Sequence, residues 1–145
     1  MQTLLKPRPV THSVYANVPS SRVSRRAGAV MTGIATLFLL VDSVGKLIPT
    51  HPAVEFTVRL GFPQSTVQLI GIILLGCLIL YVVPRTSVLG AALLTGYLGG
   101  AVAAQLRVGS PLLSTTLFPI YVGVLVWGGI TLREERLRAL FPLRR

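Results

Sequence analysis

Residues 66–106 read TVQLIGIILLGCLILYVVPRTSVLGAALLTGYLGGAVAAQL, two long apolar runs separated only by Pro84, Arg85 and Thr86. Each run is about 20 residues long, which is enough for a helix to cross the hydrocarbon core of a bilayer. Pro84 disfavours helix at the residue before it and so ends the first run. Because the connection is so short, the two helices must be antiparallel neighbours. This stretch therefore predicts transmembrane helices over residues 66–83 and 87–106.

Two further apolar runs flank this pair. One is predicted over residues 28–48, where Pro49 ends it, and the other over residues 113–132. Pro119 lies early in the last run and predicts a late start or a kink. Residues 52–60 begin with a proline and are too short to span a bilayer, which predicts an interfacial or re-entrant helix. The predicted fold class is an all-α membrane protein: an up-down bundle of four transmembrane helices with a short interfacial helix after the first span.

The chain divides into one membrane domain and two basic ends. Residues 1–26 are polar, carry several prolines, serines and basic side chains, and show no apolar periodicity, which predicts a flexible basic tail. Residues 27–140 contain the four-helix domain, and residues 141–145 form a basic C-terminal end. A chain of 145 residues has room for one domain.

The composition favours lipid over water. Hydrophobic residues make up 52% of the chain and charged residues 12%, with a mean hydropathy of +0.72, whereas about a quarter of the residues in soluble domains are charged. The net charge of +10 raises nucleic acid as a partner. However, the basic clusters abut apolar runs, and no aromatic and basic face accompanies them. The lipid bilayer is therefore the expected partner, and nucleic acid binding is not expected.

Lysine and arginine are distributed unequally between the connections. With the N-terminus inside the cell, eleven of the 14 lysines and arginines lie on the cytoplasmic side, and only Lys46, Arg59 and Arg107 lie on the other. The positive-inside rule therefore predicts that both termini are cytoplasmic. The first apolar run is too long for a signal-peptide core and has no convincing cleavage site after it, which predicts a retained helix.

Asp42 and Lys46 lie four residues apart on the first predicted span and so share one helix face. Asp42 is predicted about 9 Å inside the outer end of the span, where a charge costs about 2.5–3.5 kcal/mol, so Lys46 is its expected partner. One interpretation is an ion pair that only fixes the rotation of the helix. The other is a ligand or partner site at the outer mouth of the bundle. Its candidate residues are Asp42, Lys46, Glu55, Arg59, Gln105 and Arg107, although Glu55 and Arg59 are also spaced as a surface ion pair.

The third predicted span carries a stripe of small residues at four-residue intervals. They are Ala92, Gly96, Gly100 and Ala104. This spacing is typical of close helix packing in membranes, which is the interpretation that we favour. The alternative is a groove for a flat ligand such as a quinone head group.

No metal or cofactor signature is evident in the sequence. His12 and His51 stand alone, so no metal site is expected. Cys77 is the only cysteine and lies in an apolar run, where it is expected to behave as a small buried hydrophobe. No phosphate loop, dinucleotide fingerprint or haem-attachment motif is present.

Several segments together resemble the DoxX-like family. They are Asp42–Leu47, Leu60–Pro63, Pro84–Gly90 and Thr95–Ala101, of which the Pro-Arg-Thr turn running into the glycine-rich third span is the most specific. The resemblance covers roughly residues 28–140. It implies a small four-helix protein of the bacterial inner membrane that serves as a subunit or helper of a redox system. The family takes its name from the membrane subunit of a thiosulfate:quinone oxidoreductase, but most members have no assigned activity.

The resemblance also sets one residue apart. Relatives often carry a histidine where this chain has Gln105, two residues before Arg107. Proton or quinone chemistry that depended on such a histidine is therefore not expected in this chain.

Three functions remain in order of preference. The first is an accessory or structural membrane component that is not an enzyme on its own. The second is a quinone-linked membrane subunit of an oxidoreductase, which would require a redox partner protein because the chain supplies no obvious cofactor ligands. The third is a small transporter, which ranks last because the second and fourth spans offer few polar groups at the midplane. The sequence does not indicate an oligomeric state.

Overall fold

The computed structural model describes residues 22–133 and Leu137, and this part of the chain contains helices and turns but no strand. A 3₁₀ turn at Gln64–Thr66 precedes the third helix, and a π-helical turn at Leu112–Thr116 precedes the fifth. The helices are α1 (Arg22–Leu47), α2 (His51–Arg59), α3 (Val67–Val82), α4 (Ser87–Arg107) and α5 (Phe118–Arg133).

Four of these helices, α1, α3, α4 and α5, are long and apolar enough to cross a membrane. Counted with the turns before α3 and α5, they contain 26, 19, 21 and 22 residues. At a rise of about 1.5 Å per residue, the shortest spans about 28 Å, close to the thickness of a hydrocarbon core. The predicted all-α architecture with four membrane-spanning helices is confirmed, and the predicted short helix after the first span is α2.

The first helix begins earlier in the chain than the sequence predicts. Helix α1 begins at Arg22, so residues 22–26, which the sequence assigns to the flexible tail, are helical. No proline or glycine interrupts the helix there, and arginine side chains at a helix end can reach water along their long stems. The remainder of the predicted tail and the basic end at 141–145 lie outside the described residues.

Pro119 produces a late start of α5 and not a kink within it. Proline lacks the backbone N–H that an interior helical position donates, so it is best accommodated in the first turn. Here it is the second residue of α5, and the chain before it forms a separate π-helical turn. Thr116 Oγ1 lies 3.3 Å from the Ser110 and Pro111 carbonyl oxygens and stabilises this turn.

The four long helices form a ring in which α1 and α4 each contact both α3 and α5. In the described residues, α1 and α4 lie across the bundle from each other, as do α3 and α5. Glycines permit the closest approaches. A Cβ on Gly71 of α3 would lie 2.9 Å from Lys46 Cβ of α1, and a Cβ on Gly90 of α4 would lie 2.2 Å from the Tyr81 backbone nitrogen of α3. At Gly129 of α5, a Cβ would lie 2.4 Å from Thr32 Oγ1 of α1.

Hydrogen bonds between side chains and neighbouring helices fix the arrangement further. Ser43 Oγ of α1 donates to the Gly71 carbonyl oxygen of α3 at 3.0 Å. Trp127 Nε1 of α5 donates to Thr95 Oγ1 of α4 at 2.8 Å. Across the ring, the Tyr81 hydroxyl of α3 donates to the Val126 carbonyl oxygen of α5 at 3.2 Å. Because lipid offers no competing water, such bonds help to set which faces of the helices meet.

Apolar side chains form both the inside and the outside of the bundle. Ala35, Leu74 and Val126 are fully buried in its core. Large apolar side chains such as Leu37 and Ile72 are more than half exposed on the outer surface. In water this surface would be a large apolar patch of the kind that soluble monomers do not expose. The bundle is therefore suited to a lipid environment.

Gly90→Ala is expected to destabilise the protein because the new methyl group would overlap the α3 backbone at Tyr81. Overpacking of this kind costs about 1–3 kcal/mol. The matched control is Gly99→Ala on the same helix, where a Cβ would meet nothing within 4 Å and where alanine favours the helix. Thermal unfolding in detergent should show a lower midpoint for Gly90→Ala alone. Equal midpoints for the two variants would contradict the close α3–α4 approach.

Candidate functional site: a cavity at the mouth of the bundle

A cavity of about 620 Å³ opens at the end of the bundle that carries α2 and the turn before α5. We call it the mouth cavity. Its sides come from α1, α4 and α5, with further contributions from α2, the loop after it, α3 and the π-helical turn. Its lining residues are Phe38, Leu39, Asp42, Lys46, Phe56, Thr57, Leu60, Phe62, Ile70, Gly96, Tyr97, Leu98, Gly100, Ala101, Ala104, Gln105, Ser114, Thr115, Phe118, Pro119 and Val122. The volume lies within the range of small-molecule binding sites, about 300–1,000 Å³.

An ion pair forms the charged part of the cavity wall. Lys46 Nζ donates to Asp42 Oδ1. The Lys46 side chain is only 10% exposed because α1 packs closely on Gly71 of α3, whereas the Asp42 side chain is 34% exposed. A buried ammonium is tolerated only with a close partner, and Asp42 supplies it one helical turn away.

Gln105 adds a buried amide to the cavity from α4, on the other side of the bundle from α1. It lies in the last turns of α4, is only 4% exposed and lines the cavity. Among the described residues, its side chain makes no hydrogen bond. Its amide atoms are not among the fully enclosed polar atoms that lack a partner, which in the described residues are Thr32 Oγ1 and Thr36 Oγ1, so the amide keeps some accessible surface. Gln105 therefore offers both a donor and an acceptor to whatever occupies the cavity.

Five aromatic side chains, Phe38, Phe56, Phe62, Tyr97 and Phe118, contribute to the remaining wall. Phe38 of α1 and Phe118 of α5 meet edge to face, with ring centroids 5.0 Å apart. Phe56, Phe62 and Tyr97 line the cavity from α2, the following loop and α4. This combination of apolar walls with a few convergent polar groups is typical of a ligand pocket.

The loop after α2 is shaped by a glycine and held by Arg107. Gly61 has a φ of +85°, a left-handed conformation that favours glycine. The Gly61 and Phe62 amides donate to the Val58 and Thr57 carbonyl oxygens, which is a Schellman motif and brings Phe62 to the cavity. Arg107 Nη2 then donates to the Leu60 carbonyl oxygen at 2.9 Å and lies against Gly61. This hydrogen bond holds the C-terminal end of α4 against the C-terminal end of α2.

Three of the six residues proposed from the sequence line the cavity together, namely Asp42, Lys46 and Gln105. The other three do not line it. Glu55 and Arg59 pair with each other on the exposed side of α2, with His51 Nδ1 3.9 Å from the Glu55 carboxylate. Arg107 contacts the loop after α2 and so positions the part of the cavity wall that this loop forms.

The small-residue stripe of α4 is not uniformly packed within the chain. Ala92, Gly96 and Gly100 are exposed, and a Cβ on either glycine would meet nothing within 4 Å. Only Ala104 is buried, whereas Gly96, Gly100 and Ala104 all line the cavity. The expected close helix packing is therefore absent at the two glycines within a single chain. The tight packing occurs instead at Gly71 of α3, Gly90 of α4 and Gly129 of α5, none of which belongs to the stripe.

The aromatic wall and the hydroxyls of the mouth cavity were not predicted as site residues. Phe38, Phe56, Phe62 and Phe118 are scattered over more than 80 positions of an apolar sequence, so no local pattern distinguishes them from lipid-facing residues. Thr57, Ser114 and Thr115 also line the cavity. The one feature of the sequence that could have indicated these residues is their position near the same predicted end of the membrane spans. In the described residues, no three His, Cys, Asp or Glu side chains are grouped as metal ligands.

The fold defines the class: an all-helical protein with four membrane-spanning helices and a ligand-sized cavity at one end of the bundle. The sequence model of the DoxX-like family matches residues 30–129, more than half of the chain, so this protein belongs to the DoxX-like family. Comparisons with curated proteins and with solved structures found no match.

Asp42→Ala is expected to lower the free energy of unfolding by about 2–3 kcal/mol, because it leaves the buried Lys46 ammonium unpaired. The double variant Asp42→Ala/Lys46→Ala should be destabilised by at least about 1 kcal/mol less than the sum of the two single variants. Chemical unfolding of all four proteins in detergent gives this coupling. Additive effects would show that the pair does not stabilise the bundle.

Proposed function

We propose that this protein is an accessory component of the bacterial cytoplasmic membrane that binds a small lipophilic molecule in the mouth cavity and is not an enzyme on its own. The cavity carries this proposal, because it combines a volume of about 620 Å³ with several aromatic side chains and three polar residues, Asp42, Lys46 and Gln105. Apolar walls attract a lipophilic body, and a few fixed polar groups select its orientation.

These polar residues support binding better than a purely structural role. A self-contained ion pair would need only Asp42 and Lys46, yet Gln105 lines the same cavity from α4 and its amide makes no hydrogen bond within the described residues. Ionisable and polar groups within membrane helices are functional candidates for this reason. Gly96 and Gly100 add to the argument, since the absence of side chains there widens the cavity.

We also propose that the mouth cavity faces the outside of the cell. The cavity lies at the end of the bundle that holds Lys46, Arg59 and Arg107, the three basic residues that the positive-inside rule places outside. Arg85 lies at the opposite end, in the turn between α3 and α4. A ligand would then enter from the outer leaflet or the aqueous space beside it.

Ala101→Leu is expected to reduce ligand retention about tenfold or more, because the larger side chain would occupy the mouth cavity that Ala101 lines. Ala103→Leu is the matched control, since Ala103 lies on the exposed face of α4 and does not line the cavity. Wild type and both variants would be purified in mild detergent, and co-purified lipophilic compounds would be quantified by mass spectrometry.

A compound retained by wild type and Ala103→Leu but lost from Ala101→Leu would support the proposal. Equal retention by all three proteins, or no retained compound beyond bulk lipid, would contradict it. If the retained compound is a quinone, or a redox protein co-purifies in stoichiometric amount, the oxidoreductase-subunit function would replace the accessory one.

The orientation is tested by labelling single cysteines in intact cells with a membrane-impermeant maleimide. His51→Cys, at the start of α2, should be labelled, and Arg85→Cys, in the turn between α3 and α4, should be protected until the cells are lysed. The native Cys77 is buried in α3 and serves as the unlabelled background. Labelling of Arg85→Cys in intact cells would reverse the proposed orientation.

A further inference from the structure

The charges that line the mouth cavity cancel. Asp42 and Lys46 are the only acidic and basic residues in its described lining, and they form an ion pair with each other. Glu55 and Arg59 pair with each other away from the cavity, and Arg107 donates to the Leu60 carbonyl oxygen. An occupant therefore meets a wall without net charge inside a largely apolar surrounding.

The cavity lining retains both hydrogen-bond donors and hydrogen-bond acceptors, from α1 and from α4. Lys46 has three N–H donors, and one of them is directed to Asp42. In the described part of the chain, Asp42 Oδ2 accepts no hydrogen bond, and the Asp42 side chain keeps a third of its surface exposed. The Gln105 amide contributes two donors and one acceptor, none of which is used by a described residue. A head group that both donates and accepts would satisfy these groups.

Net charge on the head group would be unfavourable at this position. A cation or an anion placed beside a neutral pair in an apolar cavity gives up its hydration without gaining a counter-ion. An uncharged head group loses far less hydration and can replace it with hydrogen bonds to Asp42, Lys46 and Gln105. The aromatic side chains then accommodate an apolar chain or ring.

From these features we infer that the occupant is an uncharged amphiphile whose head group carries both a hydrogen-bond donor and an acceptor, such as a primary amide or a hydroxyl. This inference rests on the proposed function, because it specifies the ligand class of the same cavity. Asp42 and Gln105 accept from the head group, Lys46 and Gln105 donate to it, and the apolar part lies among Phe38, Phe56 and Phe118.

Three probes with 14-carbon chains, counting the amide carbon of myristamide, test the inference: myristamide, which is neutral, tetradecyl sulfonate, which is a permanent anion, and tetradecyltrimethylammonium, which is a permanent cation. Each tritiated probe would be titrated into phosphatidylcholine nanodiscs that contain the wild-type protein. Binding to nanodiscs that contain Ala101→Leu would be subtracted, which removes partition into lipid. Myristamide should bind about tenfold more tightly than either ion. Equal or tighter binding of an ion would overturn the inference.

Charge variants give a second test in which each probe is compared with itself, so head-group size cancels. Asp42→Asn leaves the Lys46 charge and should improve sulfonate binding about tenfold, whereas Lys46→Gln leaves the Asp42 charge and should improve ammonium binding to a similar extent. Asp42→Asn/Lys46→Gln restores neutrality and should again prefer myristamide. If the folded single variants bind the three probes with the same relative affinities as the wild type, the inference is overturned. If either single variant fails to fold, as judged by its thermal melt, the wild-type and double-variant titrations still decide the question.

The outcomes also separate this inference from the proposed function. If no probe shows binding that depends on Ala101, the proposed function itself fails. If binding depends on Ala101 but an ion binds best to the wild type, the mouth cavity is a ligand site and only the inference of an uncharged head group is wrong.

Discussion

The contact between Lys46 of α1 and Gly71 of α3 is the constraint from which much of this structure follows. It brings a lysine into the bundle, where only 10% of its side chain is exposed. A charge in that position must be paired, and Asp42 is the residue that α1 places within reach. Ser43, between the two charged residues, donates to the Gly71 carbonyl oxygen and fixes the same contact. The rotation of α1 is thus set, and the ion pair is directed into the cavity.

The other end of the cavity depends on a backbone contact and not on charge pairing within the site. Helix α2 ends in a Schellman motif at Gly61, and the Arg107 guanidinium donates to the carbonyl oxygen just before that glycine. A side chain on Gly61 would clash with Arg107, since a Cβ there would lie 2.3 Å from Nη2. Glycine at this position therefore permits both the left-handed turn and the arginine contact. Together they hold Phe56, Thr57 and Phe62 beside the polar wall.

Membership of the DoxX-like family agrees with this architecture and leaves the ligand open. The cavity is the feature that indicates a ligand. Its polar groups are a carboxylate, an ammonium, an amide and hydroxyls, which suit hydrogen bonding to a head group. Gln105 contributes an amide that does not titrate and can act as donor and acceptor at once.

By itself the sequence determined the four long helices and the short α2, and it predicted an irregularity at Pro119, either a late start or a kink, because long apolar runs and prolines act locally. It also determined the Asp42–Lys46 pair, since residues four apart on a helix share a face. Only the tertiary structure decided that Gln105 lines the same cavity as this pair while Arg59 and Arg107 do not, because these residues come from different helices whose rotation depends on packing. The same holds for the glycines. Gly71 and Gly90 lie where two helices pack closely, whereas Gly96 and Gly100 line the cavity. This difference depends on which helix faces meet, and the spacing of residues along one helix carries no information about its neighbour.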